Sequence, residues 1–366
     1  MTLSSERAAD SDYDLDHHGD ADLTAGSYQL DLAVNVRLRR PPRWLTSLLS
    51  AGLDDLASYP RQDQALGAVA ARHGRQQAEV LLTNGAAEAF TLIARALSPS
   101  LAVCVHPSFT APEAALRRAG RPVRRVLLPP PFALTGEEVP AEADLVIVGN
   151  PTNPTGRLHP VAVLERLAAP GRVLVVDEAF ADAIPDEPAS LAGCSGLPGL
   201  LVVRSLTKAW ALSGLRVGYV LGDRELISAL REAQPPWPVN SLALTALTAC
   251  SQPDAVAQVR RHAGELLRWR ADLARRLGEL PGVSVTGGDR SPFLAPFLLL
   301  KVDGGTQARH RLRELGIAVR RGDTFPGLGP EWLRIAVAEP ACHDAIVAAF
   351  AACVTSSRAS QADPVG

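Results

Sequence analysis

Hydrophobic and polar positions divide the chain into two textures. Between residues 100 and 222, short apolar runs recur at 101–105, 124–128, 144–149, 172–177, 200–204 and 217–221, rich in Val and Leu and apolar on both faces. Runs of that length without a polar face suit buried strands of a mostly parallel sheet covered by helices on both sides. From about residue 242 the pattern changes. A long helical stretch over 241–280 is interrupted near Ser251-Gln-Pro-Asp254. Strands at 283–286 and 297–302, a helix near 306–315, short strands at 317–320 and 333–337, and a last helix near 341–352 follow. That mixture predicts a smaller α+β domain.

The ends read differently. Residues 1–24 are acidic, polar and aperiodic, and 355–366 are similarly polar, so both are expected to be flexible tails. Residues 25–60, where Pro41-Pro42 leads into an apolar helix, fit either the small domain or a partner subunit. The expected plan is a tail (1–24), an N-terminal segment (25–60), a large domain (61–240), a small domain (241–354) and a second tail (355–366). The fold class is α/β.

At 366 residues the chain exceeds one small core. The 37 Lys and Arg nearly balance the 39 Asp and Glu, and no basic block carries interleaved aromatics. Nucleic acid and membrane surfaces, which favour clustered basic charge, are therefore not expected partners. A small molecule is. The five cysteines, Cys104, Cys194, Cys250, Cys342 and Cys353, are scattered without a Cys-x-x-Cys spacing, so neither a disulfide framework nor a metal site is expected. No signal-like segment or membrane-length apolar run occurs, and the cytoplasm is the expected compartment.

Four motifs carry chemistry. Arg204-Ser-Leu-Thr-Lys208 ends an apolar strand, with Arg216 eight residues later in Gly214-Leu-Arg-Val-Gly-Tyr219. A lysine desolvated in such a turn can attack an aldehyde as the free amine, while hydroxyls and a guanidinium suit a phosphate dianion. A solvated lysine with a surface arginine would read the same way taken alone. Asp177-Glu-Ala-Phe180 follows the strand Val173-Leu-Val-Val176, placing a carboxylate where α/β sheets bind ligands. A helix-capping aspartate is the plainer alternative. Gly149-Asn-Pro-Thr-Asn-Pro-Thr-Gly156 holds two Asn-Pro steps that stiffen a loop. Thr83-Asn-Gly-Ala-Ala-Glu88 opens a helix with small residues, baring backbone N–H groups to an anion.

The order of these motifs resembles the fold-type I enzymes that use pyridoxal 5′-phosphate (PLP), the aspartate-aminotransferase superfamily. The resemblance spans roughly residues 28–350 and implies the two-domain aspartate-aminotransferase-like fold. It implies that Lys208 carries the cofactor as a Schiff base, that Asp177 pairs with its ring nitrogen, that Asn153 bonds the ring oxygen and that Phe109 stacks on the ring. Ser205, Thr207, Arg216 and the backbone of Ala86 and Ala87 would grip the phosphate. Tyr59, in Ser58-Tyr-Pro60, resembles a tyrosine lent to the neighbouring subunit's phosphate, which implies a homodimer. Arg334, in Trp332-Leu-Arg-Ile-Ala336, resembles the arginine that receives a substrate carboxylate. Phe180 departs from the pattern, since many relatives carry Tyr there.

Within the superfamily, Leu30-Asp-Leu-Ala-Val-Asn35, Ser205 to Arg216, Pro236-Trp-Pro-Val-Asn240 and Thr324-Phe-Pro-Gly-Leu-Gly329 resemble the histidinol-phosphate aminotransferase and threonine-phosphate decarboxylase group. The last three stretches, with His18-Gly19, are closer to L-threonine-O-3-phosphate decarboxylase of cobalamin biosynthesis. That activity is the first expectation, and transamination of a phosphorylated amino acid such as histidinol phosphate the second. A non-catalytic, DNA-binding regulator is the third, disfavoured because the first 24 residues leave no room for a helix-turn-helix. Asn35, Arg320 and Arg334 are the expected substrate contacts, with His18, Arg37 and Arg321 as further candidates. The cofactor residues serve either reaction; the substrate's anchors choose which bond breaks.

Overall fold

The computed structural model describes residues 13–17, 28–36, 38, 40–288 and 292–361, with side chains to Val354. His18, Arg37 and Arg39 lie outside the described residues. The chain runs β1 (Leu30–Asp31), α1 (Arg43–Ala51), α2 (Asp63–His73), β2 (Val80–Thr83), α3 (Ala86–Ala96), β3 (Ala102–His106), α4 (Ala111–Arg118), β4 (Val123–Leu127) and β5 (Leu145–Gly149). It continues through α5 (Val161–Leu167), β6 (Val173–Asp177), β7 (Leu200–Ser205), β8 (Gly218–Gly222), α6 (Arg224–Glu232), α7 (Ser241–Cys250) and α8 (Pro253–Gly278). The last part holds β9 (Val283–Val285), β10 (Phe297–Val302), α9 (Gly305–Glu314), β11 (Ile317–Ala318), β12 (Arg320–Arg321), β13 (Trp332–Ala336) and α10 (His343–Gln361).

Seven strands form the large sheet in the order β2-β8-β7-β6-β5-β3-β4. All pairs are parallel except those of β8, which runs antiparallel to β2 and β7. Central strands are buried along almost their whole length, which is why they read as continuous apolar runs. The six expected strands are present. β2 was not expected, because its four residues merge into the small-residue start of α3. The second sheet, β12-β13-β10-β9, is antiparallel, and β1 pairs in parallel with β11.

Several boundaries differ from the sequence expectation. The small domain was placed at 241, but α7 packs in the large-domain core through Ala243, Leu244 and Leu247. The two cores divide α8 itself, with Ala255 and Val259 in the first and Leu266, Leu273 and Leu277 in the second. The segment 25–60 splits as well: β1 joins β11 of the small domain, while Leu45 of α1 enters the large core. The expected acidic tail contains an ordered stretch. Thr110 donates to the Leu15 carbonyl (2.8 Å), Arg118 pairs with Asp16, and Arg125 stacks over the Tyr13 ring (5.2 Å). The helix α10 runs into the segment 355–366 that was also expected to be a tail.

Candidate active site

Apart from Tyr59, the expected cofactor residues sit after β3, β5, β6 and β7, just before β8, and at the amino end of α3. Lys208 follows β7 in a turn whose first hydroxyls, Ser205 and Thr207, are buried and in direct contact. Trp210, almost wholly buried, anchors the far side of that turn. Arg216 adopts a left-handed backbone conformation (φ 59°) and lies against Gly85, the residue before α3. A Cβ at Gly85 would stand 2.7 Å from Arg216 Nη2, and a Cβ at Gly218 only 2.9 Å from the Ala86 nitrogen. Only glycine at these two positions lets a guanidinium meet the first N–H groups of a helix, the combination that binds a dianion.

Asp177 ends β6 with one carboxylate oxygen accepting from the Ala179 N–H (3.0 Å). Burial raises its pKa to about 6, against the opposing pull of that hydrogen bond and of Lys208. Asn153 presents its carbonyl oxygen to Arg334 Nη1 (2.7 Å), which leaves its amide N–H groups for another partner. The loop bearing it is fixed by Asn150, whose side chain accepts from the His159 N–H (2.7 Å) and donates to the Ala189 carbonyl (3.1 Å). Phe109 follows β3 in a loop fixed by His106, which contacts Glu113 (2.8 Å) and accepts from the Ser108 N–H (3.2 Å).

Arg320 and Arg334 face each other across β12 and β13, and both are buried. Arg334 also donates to the Ala33 carbonyl and stacks over Phe297 (5.5 Å), yet its Nε has no hydrogen-bond partner among the described residues. Burial and the neighbouring Arg320 pull its pKa down to about 9, and Asp31 only partly offsets them. A site with so much buried positive charge is built for an incoming anion. Arg320 donates to the His17 carbonyl (2.8 Å) and lies over Phe325 (4.9 Å), so the N-terminal stretch borders this site. Arg321 instead forms an ion pair with Asp323.

A cleft opens on Lys208 between the two lobes, lined among others by Asn35, Asp182, His262 and Ala336. Asn35 is 7% exposed, and neither its Oδ1 nor its Nδ2 has a hydrogen-bond partner among the described residues. An unsatisfied buried amide costs about 1–3 kcal/mol per group, so a ligand contact is the physical reason to keep it. Its backbone is set by Asp31, whose Oδ1 accepts from the Ala33 and Val34 N–H groups (2.8 and 3.1 Å). Tyr59 is not brought to the site. It is 73% exposed and stacks on Trp237 at 4.4 Å.

A profile described as Aminotransferase class I and II matches residues 22–350. The chain belongs to that family. The protein named histidinol-phosphate aminotransferase in Mycobacterium tuberculosis is 49% identical over 324 residues, covering 88% of this chain and 86% of that one. The threonine-phosphate decarboxylase of Salmonella typhimurium is 31% identical over 334 residues, covering 88% and 90%. Among solved structures, the L-threonine-O-3-phosphate decarboxylase of Porphyromonas gingivalis aligns with a TM-score of 0.79 at 26% identity, covering 88% of this chain and 98% of that one.

This member of the class I and II aminotransferases is thus a PLP-dependent enzyme with the aspartate-aminotransferase-like fold. Its own residues fit the cofactor: the glycine-floored cradle at Arg216 suits the phosphate, Asp177 suits the protonated ring nitrogen, and the open amide of Asn153 suits the ring oxygen. Lys208 stands between them in sequence and opens on the cleft.

The residue that departs from the family pattern, Phe180, has a structural place. It is buried and packs edge-on against Phe297 at 5.1 Å, and Phe297 in turn carries Arg334 on its face. A bound cofactor's ring oxygen would lack the hydroxyl donor that the tyrosine of many relatives implies. Phe180→Tyr is expected to lower the midpoint of the cofactor band's pH titration by about half to one unit, by restoring a donor that favours the charged oxygen. An unmoved midpoint in a variant that folds and binds the cofactor normally would disprove the account.

Proposed function

We propose that this enzyme is an aminotransferase acting on a small phosphate-bearing amine, with histidinol phosphate the first substrate to test. The observation that carries the reading is the 49% identity to the Mycobacterium tuberculosis protein over most of both chains, against 31% for the Salmonella decarboxylase. The similarity thus favours transamination over the decarboxylation that the motifs suggested. The paired arginines support it, because one site must hold the phosphate of one substrate and the carboxylates of its amino-group partner in turn.

When bound, pyridoxal phosphate supplies an electron sink for the bond broken at the substrate Cα. Asp177 would pair with the ring nitrogen and keep it protonated, which deepens the sink. Lys208, which lines the cleft, would be the base placed to take the proton from the substrate Cα. Arg334 would orient the substrate while fixing Asn153 through Nη1, so substrate and ring would share one anchor. Arg320 and Asn35 complete the anion site. In this reading the exposed apolar residues Trp44, Leu48, Leu53 and Leu56, with Tyr59 close by in sequence, support a homodimer in which Tyr59 serves the partner's cofactor phosphate.

Incubation with histidinol phosphate and 2-oxoglutarate is expected to yield glutamate, and threonine phosphate alone is expected to release no carbon dioxide. Carbon dioxide release without glutamate would overturn the proposal in favour of the decarboxylase.

A further inference from the structure

Behind the strand ends that carry Asp177 and Ser205 lies a cluster of buried charge that the cofactor contacts leave unexplained. Strand alternation separates the two sets of residues. Val175 and Val203 enter the core shared with α3, whereas Leu174, Val176 and Val202 enter the core on the opposite face. Continuing the alternation puts Asp177 and Ser205 on the α3 side, and Glu178 and Arg204 on the other. Glu178 and Arg204 meet there. Arg204 Nη1 donates to Glu178 (2.9 Å) and Glu187 (2.6 Å), and Nη2 donates to Asp182 (2.6 Å). Arg72 pairs with the same Asp182 oxygen. Glu178 is fixed again by the Leu191 N–H and the Ser190 hydroxyl, each at 2.6 Å.

We propose that Arg204 is a positioning residue for the cofactor site, whose fork gathers Glu178, Asp182 and Glu187 and thereby sets the spacing between Asp177 and Lys208. The chain connectivity makes the coupling short. Glu178 adjoins Asp177, Arg204 adjoins Ser205 and precedes Lys208 by four residues, and Asp182 lines the cleft beside Lys208. Asp177 and Val203 are already partners in the sheet, and the Glu178 N–H donates to the Val203 carbonyl (2.9 Å). Backbone pairing fixes the strand separation, but β6 ends at that point, while β7 runs two residues further to Ser205. Beyond it the Arg204 fork ties the loop after β6 to the end of β7 by side chains on this face. A lysine would keep one positive charge and lose the planar two-nitrogen reach. One surface of each strand end thus meets the cofactor while the other is held by charge.

The inference rests on Lys208 and Asp177 as the cofactor residues. Its test titrates cofactor-stripped Arg204→Lys with PLP, following the visible band, and measures that band's pH midpoint alongside the melting temperature. Binding about tenfold weaker with a displaced midpoint is expected, a loss equivalent to one well-placed polar contact. A lowered melting temperature with unchanged affinity and midpoint would overturn the proposal, since that is what mere structural support predicts. Should Arg204→Lys fail to fold, Glu187→Gln decides. It removes the most exposed carboxylate of the three. The variant is expected to shift both readouts the same way, by about threefold in affinity; unchanged values overturn the proposal. Lys208→Ala run in parallel separates the two layers, because a band that survives it sinks the cofactor reading itself.

Discussion

Lys208→Ala is expected to remove the visible absorption band of the bound cofactor and to slow turnover by about four orders of magnitude. Two functions are lost together: the covalent hold on the cofactor and the base at the substrate Cα. The fold should survive, because Lys208 is half-buried and its side chain opens on the cleft while the turn is held by the Ser205–Thr207 contact and by Trp210. The phosphate cradle of Ser205, Arg216 and the start of α3 is untouched, so PLP should still bind, more weakly and without the covalent band. Absorption spectra after gel filtration in the presence of PLP give the answer directly. A retained band would show that another amine carries the cofactor, and the site assignment would fall with it.

How much of this was legible in the sequence depends on whether a residue's role is local. The strands were legible because burial on both faces leaves no polar positions to blur them. The motif residues stood out because each strand end delivers a polar group within one or two residues, as with Asp177 after Val176 or Ser205 after Arg204. The domain boundary was not, since α8 is one amphipathic helix serving two cores, and nothing in its periodicity marks the change between Val259 and Leu266. Nor was the role of Arg204 and Glu178. Charged residues beside catalytic ones read as part of the motif, and only strand alternation carried across two neighbouring strands reveals that they share the opposite face. Arg320 was legible as a candidate anchor, but its contact with the His17 carbonyl joins residues 303 positions apart, beyond any spacing argument.

Asp177→Asn is expected to stabilise the cofactor-free protein while lowering activity at least about a hundredfold. Burial raises the folded-state pKa of Asp177 from 3.8 to about 6, so the folded chain at neutral pH holds a carboxylate in a place that disfavours charge. The sign follows from linkage. A carboxyl whose pKa is higher folded than unfolded destabilises the fold fully above the folded value, and the cost vanishes as pH falls below the unfolded one. The two values set an upper limit of about 3 kcal/mol, and because the residue is only partly buried, solvent screening reduces it to roughly 1–2 kcal/mol. Thermal melts of stripped protein should therefore show the variant a few degrees more stable near pH 8, with the gap closing near pH 4. PLP should reverse the order, because a protonated ring nitrogen compensates the carboxylate of the native enzyme and finds only a neutral amide in the variant. A variant that melts lower at pH 8, or that keeps full activity, would mean that Asp177 is an ordinary capping aspartate. The instability of the empty site is, on this account, the same free energy that the carboxylate returns when it meets the cofactor.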